Sequence, residues 1–417
     1  MSTPVTLAIV GAGKRGEAYA AYAKHHPDQL RVVAVAEPRD LQRERMAAEH
    51  SIPPDRCFDG YESLAAAGKL ADAVAICTQD QMHCHPVELL APQGYAILLE
   101  KPLSPNNEEA ERIVACVREH GNLFAVCHVL LYTELTSKLR EILRAGTIGE
   151  IVSVQHLEPV AWWHQAHSFV RGNWRNEEES SFMLLAKSCH DIDWLRHIVN
   201  SRCRAVASFG SLRHFRASEK PEGASDRCWD CNVEETCPYS AKRIYYTNFE
   251  RDSIANYIND VITEGRNTRE AVEDAVRNGP YGRCVYACDN DVVDNQTVML
   301  DFEGPVSVNF TMTAFTPTLH RATRIFGTRG YIDTDFVHIK VFDFLTEKET
   351  VHDTRVGGAT AASGHGGGDY HIMRAFVHAV ATGDTSVIHS GADATIDSHR
   401  IIFAAEQSRR ERRMIEL

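Results

Sequence analysis

Several short stretches of this chain carry more proton-donating and charged side chains than packing alone requires. LLAKSCHDIDWLRHIV (184–199) gathers Lys187, His190, Asp191, Asp193, Trp194 and His197 in one run of helical length. At about 100° per residue, Leu185, Cys189, Ile192, Arg196 and Val199 line one side, while Lys187, His190, Asp191 and Trp194 share the other. A histidine that titrates near neutrality, set between an ammonium and a carboxylate, suits general acid–base catalysis. The plain alternative is a solvated helix face. Just upstream, AWWHQAHSFVRGNWRN holds Trp162, Trp163, His164, His167, Arg171, Trp174 and Arg175 with no acidic residue, in a chain of 57 Asp and Glu against 44 Lys and Arg. Tryptophans stack on sugar rings and arginines grip carboxylate, sulfonate or phosphate with two hydrogen bonds. A polar or anionic pyranose is therefore expected there, held by Trp163, His164, His167, Arg171, Trp174 and Arg175. The alternative pairs the arginines with the Glu177, Glu178 and Glu179 run.

Two further clusters follow. In GHGGGDYHIM, His365 and Asp369 flank three glycines just before a helical pattern. They read as a substrate-contacting loop or as a capping turn, since glycine lets a backbone approach a ligand and Asp caps helices. Cys228-x2-Cys231-x5-Cys237 begins with zinc spacing, and Cys284, Cys288 or His214 is available as fourth ligand. A structural zinc on Cys228, Cys231, Cys237 and Cys284 is weighed against unliganded thiols. The other cysteines lie in apolar runs such as AVAICT and LFAVCHV, as reduced core residues do.

The cofactor signal is Gly11-Ala12-Gly13-Lys14-Arg15-Gly16, which follows an apolar run and opens a helix. Its glycines allow a tight turn and bring backbone N–H groups to a pyrophosphate at the helix N-terminus. Glu37 ends the second strand, where a carboxylate accepts from both ribose hydroxyls and repels a 2′-phosphate. NAD is favoured over NADP, although Arg39 lies close enough to receive a phosphate.

The elements that must position these groups fall into two blocks. Through residue 128, the runs TLAIV, LRVVAVAE, AVAIC, AILLE and LFAVC alternate with helical patterns, which predicts a doubly wound parallel sheet. Residues 129–417 carry longer strand patterns and read as an α+β domain with a largely antiparallel open sheet. Within it, a polar, cysteine-bearing insertion covers about 211–282, and helices over 369–417 pack back on the body. The net charge of −13 disfavours nucleic acid or an anionic membrane as partner. Without a long apolar run or a signal-peptide pattern, a cytoplasmic protein is expected.

The fingerprint, Thr78 and His83 in CTQDQMHCHPVELL, and Glu100-Lys101-Pro102 in AILLEKPLS together resemble the Gfo/Idh/MocA family of NAD(P)-dependent sugar and polyol oxidoreductases. The resemblance implies that Thr78, His83 and Glu100 belong to the cofactor site and that Lys101 stands beside nicotinamide and reacting hydroxyl. It also implies a catalytic histidine at His190, followed by Asp193. Where relatives carry an earlier Asp, this chain has Ala186, which leaves Lys187 and Asp191 as local substitutes. A homodimer or homotetramer is implied as well. Three functions are carried forward. The first is net dehydrogenation of a ring hydroxyl, C3 by preference. The second is an NAD-recycling glycosidase acting on an anionic glycoside such as a sulfoquinovoside. The third is a non-catalytic NAD sensor, which needs no Lys101–His190 pair.

Overall fold

The apolar runs of the N-terminal block become a six-stranded parallel sheet in the computed structural model, which describes residues 3–249, 253–317, 320–355 and 365–417. Its strands are β1 (Val5–Val10), β2 (Leu30–Ala36), β3 (Cys57–Phe58), β4 (Ala73–Ile76), β5 (Ala96–Leu99) and β6 (Phe124–Val126), in the order β3-β2-β1-β4-β5-β6. Helices α1 (Lys14–His25), α2 (Asp40–His50), α3 (Tyr61–Ala66), α4 (Cys84–Leu90) and α5 (Asn107–Glu119) alternate with them. Central strands such as β4 and β5 are buried at every residue, because helices cover both faces of a parallel sheet. The two-residue β3 is absent from the sequence expectation, being too short for any periodic signal. The order in which strands are added reverses between β1 and β4, so the C-terminal ends of β1, β4, β5 and β6 open on one crevice.

After α6 (Glu134–Arg144), β7 (Ile151–Pro159) enters a nine-stranded sheet with β8 (Cys203–Ser211), β9 (Asn295–Phe302), β10 (Val306–Thr313), β11 (Ala322–Gly327), β12 (Gly330–Thr334), β13 (His338–Asp343), β14 (Lys348–Asp353) and β15 (Ile415–Glu416), in the order β14-β13-β12-β11-β7-β10-β9-β8-β15. Only β7 and β10 pair in parallel; the remaining ladders are antiparallel. One face packs inward and the other is open, with Phe209 and Met299 exposed on it. Helix α7 (Trp162–His164) runs into a π-helical segment, Gln165–Arg171, and α8 (Met183–Val199) lies against the packed face of the sheet.

α8 is buried around nearly its whole circumference, so its polar side does not meet water. Beyond the insertion helices α9 (Ser253–Ile262) and α10 (Arg269–Asn278), the chain ends in α11 (Gly368–Thr382) and α12 (Ala392–Glu411). α12 covers α8 and reaches α5, which joins the two blocks. Trp194, read above as part of the polar face, is fully buried and donates its indole N–H to Thr136 Oγ1 at 2.9 Å. It belongs to the core.

The insertion has its own apolar cluster, built around Phe215, Tyr239, Tyr245, Ile258, Val272 and Val276. It also reaches the first sheet's helices: Asp260 pairs with Lys14, the Glu264 carbonyl accepts from Gln42 and the Gly265 carbonyl from Arg45. No described helix is long and apolar enough to cross a membrane.

Candidate active site

The fingerprint loop shows why its residue types are needed. Gly11 has φ +88°, and a Cβ there would stand 2.6 Å from the Cys77 carbonyl oxygen, so only glycine passes this close to β4. α1 then starts without a side-chain cap, which leaves its first N–H groups for an anion. Glu37 is buried, its Oε2 accepts from Ala12 N at 2.8 Å, and Arg39 Nε donates to Oε1 at 2.7 Å. Burial pushes this carboxyl up, but the Arg39 and Ala12 hydrogen bonds outweigh it and hold the group below its ordinary value. Arg39 thus folds back on Glu37. These residues fit an NAD adenosine and pyrophosphate: a helix N-terminus, a close-approach glycine and a carboxylate at the end of β2. Lys14 contributes through its backbone alone, since its ammonium is taken by Asp260 and Glu17.

Behind the loop lies a row of buried charges. Arg15 Nε donates to Glu100 Oε1 at 2.6 Å and Arg15 Nη2 to Asp369 Oδ1 at 2.6 Å, while Tyr19 donates its hydroxyl to Glu100 at 2.6 Å. Burial alone would raise both carboxyls; Arg15 overrides it and keeps Glu100 and Asp369 low and ionised. His365 Nδ1 sits 3.2 Å from Asp369 Oδ2. Asp369 is therefore no free substrate ligand, because Arg15 and His365 occupy it. A Cβ on Gly368 would come within 2.5 Å of the Val129 carbonyl oxygen, so the glycine lets α11 start against the loop that follows β6. His83 is also a brace: its ring nitrogens face the carbonyls of Pro102 at 2.6 Å and Thr78 at 3.2 Å, tying the loops after β4 and β5 together.

Lys101 crosses to the second block. Its ammonium donates to the Ala186 carbonyl at 2.6 Å, one turn of α8 before His190. Where the resemblance implies an Asp, position 186 is alanine, and its backbone oxygen receives the ammonium. His190 is 6% exposed, and its Nδ1 has no partner among the described residues. Burial first, then Lys101, His365, His128 and Arg321, hold its imidazole well below the ordinary range, so it rests neutral as a base must.

The substitutes offered by sequence are occupied. Asp191 accepts from Arg321 Nε at 2.6 Å and lies 2.8 Å from His156 Nε2; this pairing keeps it strongly ionised and removes it as a proton acceptor. Lys187 stands 3.0 Å from Glu158, which Arg321 also approaches at 2.9 Å. Asp193 is buried against α12, where burial raises its carboxyl to about 7.

Of the aromatic and basic stretch, His164 alone among the charged or titratable residues joins the cleft. Its Nδ1 faces the Val160 carbonyl at 3.2 Å, and burial with Lys187 and His167 holds it well below ordinary values. Trp163 lies beside it at 5.5 Å between ring centroids. Arg171 is fully buried away from the cleft and donates to the carbonyls of Arg283 at 2.7 Å and Tyr239 at 2.8 Å. His167 stacks on Tyr281 and meets Tyr245. Arg175 pairs with Asp289 and Glu179, and Trp174 reaches Asp80. The anion clamp expected from Arg171 and Arg175 is not formed, because Arg171 is buried on the Arg283 and Tyr239 carbonyls, with Nη1 unpaired among the described residues, and Arg175 is held by Asp289 and Glu179. Cys228, Cys231, Cys237 and Cys284 do line one cavity of ≈ 20 Å³. Yet no three His, Cys, Asp or Glu among the described residues are placed to hold a metal ion, and the zinc expectation is not supported. Cys228 Sγ instead accepts from Arg171 at 3.5 Å and Cys231 Sγ from Ser225 N at 3.4 Å.

Sequence reasoning missed Tyr19, His128, His156, Glu158 and Arg321. His128 alone carried a usable signal, standing just past the last parallel strand, where such sheets place their sites. Both its ring nitrogens are buried without a partner among the described residues, and its ring meets His190 edge-on at 5.7 Å.

Residues 5–128 match the model of an oxidoreductase family with an NAD-binding Rossmann fold, and residues 140–417 match that family's C-terminal alpha/beta domain. The chain is 25% identical over 211 residues to 2,7-anhydro-N-acetylneuraminate hydratase of Escherichia coli, covering 50% of this chain and 54% of that protein. It is 30% identical over 209 residues to inositol 2-dehydrogenase of Corynebacterium glutamicum, covering 49% and 57% respectively. Each of these matches spans little more than half of the relative. Levoglucosan dehydrogenase, solved in complex with NADH and levoglucosan, shares the fold over 99% of both chains at 16% identity, with a TM-score of 0.72.

Proposed function

We propose, since the chain belongs to the Gfo/Idh/MocA family of oxidoreductases, that it takes a hydride from a secondary ring hydroxyl, at C3, of a pyranose or pyranoside, with net sugar dehydrogenation. The observation that carries this reading is the meeting of Lys101, from the end of β5, with the α8 turn that bears His190. NAD held at the fingerprint loop and Glu37 supplies the hydride acceptor. Lys101 donates a hydrogen bond to the substrate oxygen, and neutral His190 takes the hydroxyl proton. Trp163 and His164 line the place where the ring sits. No observation favours an anionic sugar, so a neutral one is preferred. The homo-oligomer implied by the resemblance is placed on the open sheet face that exposes Phe209 and Met299.

A second reading is redox-neutral, with the hydride returned at the end of each cycle. The insertion's hold on the fingerprint helix, through Lys14 and Asp260, favours it because it retains the cofactor between turnovers. The hydratase relative points the same way. Here oxidation at C3 acidifies the C2 proton, a base removes it, the C1 substituent leaves, and water adds in its place. His164 is the base available: with Nδ1–H donated to Val160, its Nε2 carries the lone pair.

Incubation with NAD and a panel of free sugars, myo-inositol and p-nitrophenyl glycosides tests both, following NADH and p-nitrophenol together. NADH in proportion to keto product supports dehydrogenation; p-nitrophenol over many turnovers without NADH supports the redox-neutral cycle. Silence in both channels sinks the two readings alike.

A further inference from the structure

Neutral His190 can take a proton, but the surroundings make that proton hard to keep. The imidazolium would be buried and would face Lys101 from the β5 loop, Arg321 from the sheet side and His128 from the loop after β6, with no carboxylate of its own. Its Nδ1 has no partner among the described residues. Among the described residues, a ring that carries its own carboxylate stands beside it on one side. His365 lies 5.7 Å from His190 between ring centroids, inclined at 46°. Its side chain is 36% exposed, whereas His190 is 6% exposed, so it stands between the buried base and solvent. Both Asp369 oxygens approach His365 Nδ1, at 3.3 and 3.2 Å, and Asp369 is itself 3% exposed and bound by Arg15. An ionised carboxylate there accepts from Nδ1–H and leaves the Nε2 lone pair free.

The geometry points to His365, oriented by Asp369, as the relay that carries the substrate's proton from His190 to solvent. This rests on the hydride-transfer reading above and extends it. The hydroxyl O–H bond breaks and its proton goes to a ring nitrogen of His190, while the C–H electron pair leaves as hydride. His190 then passes a proton to Nε2 of His365, through one water or a small swing of the less buried ring. The positive charge now rests beside the Asp369 carboxylate, and His365 releases the proton outward. His190 returns to its neutral form, ready for another hydroxyl. His365 does not touch the reacting atoms; it acts through His190.

The test uses the full chain with NAD and whichever of D-glucose, D-galactose, myo-inositol and p-nitrophenyl β-D-glucopyranoside the wild type oxidises fastest. Stopped-flow in weak buffer reads NADH absorbance and a pH dye together. In the wild type the proton appears in step with NADH. In His365→Asn the first-turnover NADH is expected to outrun proton release, and the steady-state rate to fall about 10–100-fold, with partial rescue by added imidazole. Proton release in step with NADH, or a steady-state rate within about twofold of wild type, overturns the relay. Independently of turnover, ¹⁵N-histidine NMR of the wild type should show His365 as the Nδ1–H tautomer and Asp369→Asn should disturb it; the Nε2–H tautomer in the wild type overturns the orientation. A wild type that transfers hydride to none of the sugars removes the underlying reading, an outcome distinct from one confined to the variants.

Discussion

The cleft around α8 and the cysteine-bearing insertion look alike in composition and differ in how their polar atoms are satisfied. Each contains a buried arginine, histidines and aromatic rings. Against the insertion, Arg171 donates to the Arg283 and Tyr239 carbonyls, and His167 is held by Tyr245 and Tyr281. Around α8, His128 has both ring nitrogens unpaired and His190 one, among the described residues, and Lys101 is anchored by a single carbonyl. Buried polar groups without partners are costly, and a fold retains them where something else is to be bound. Both regions leave buried polar atoms unpaired among the described residues, Arg171 Nη1 and Asn259 Oδ1 at the insertion, but in the cleft these atoms are imidazole nitrogens, which can take a proton.

The sharpest way to break this contrast is at the cleft. Lys101→Ala and His190→Ala should each lower NADH formation by about 10²–10⁴-fold while NAD still quenches tryptophan fluorescence as in the wild type. Undiminished turnover in either variant would remove that residue from the chemistry. The insertion should respond in stability instead. Arg171→Ala deletes buried hydrogen bonds and opens a cavity, so urea unfolding should show a loss of about 3 kcal/mol, with KM for neutral and anionic sugars changed equally. A selective rise of KM for anionic sugars would restore the clamp that the structure does not form.

A third prediction separates the regions by pH. Burial brings His128, His167 and His399 down to about 3, below the ordinary 6.5. Between those values the unfolded chain binds more protons than the native one, so their contribution is full above pH 6.5 and is lost as pH falls towards 3. Asp193, raised to about 7, works in the opposite sense: its contribution is present at low pH and is lost as pH rises through 7. Stability from urea titrations should therefore drop between pH 6.5 and 4. His167→Phe, which keeps the stack on Tyr281, should flatten that slope by up to about 1.4 kcal/mol per pH unit. An unchanged slope would mean that His167 is not held neutral.

The smallest effect belongs to the contact between the regions. Asp260→Ala removes one of the two acidic partners of Lys14, in a partly exposed ion pair worth about 1 kcal/mol or less, so NADH should dissociate no more than about fivefold faster in a trapping experiment. Dissociation at the wild-type rate would show that the insertion does not hold the cofactor, and the redox-neutral reading would lose its support.

The two-block fold was readable because its signals are local: apolar runs of strand length, a glycine fingerprint, and helical periodicity at both ends of the second block. The places of Glu37 after β2, Lys101 after β5 and His190 on α8 were readable for the same reason, each being a recognisable position on one element. What escaped is what distance in sequence conceals. Asp191 reads as a free carboxylate until Arg321, 130 positions later, is folded onto it. Arg171 and Arg175 read as an anion clamp until Tyr239, Arg283 and Asp289, more than 60 positions later, are folded onto them. Arg15, read as part of the cofactor fingerprint, reaches Asp369 near the other end of the chain.

The bond from Lys101 to Ala186 has a consequence for how this site can be explored. Its acceptor is a main-chain oxygen, so every replacement at 186 except one that bends α8 leaves the contact in place. Alanine scanning along α8 passes over it in silence. The ammonium's position is instead set by where α8 lies relative to β5, which makes Lys101 a gauge of how the two blocks are seated on each other.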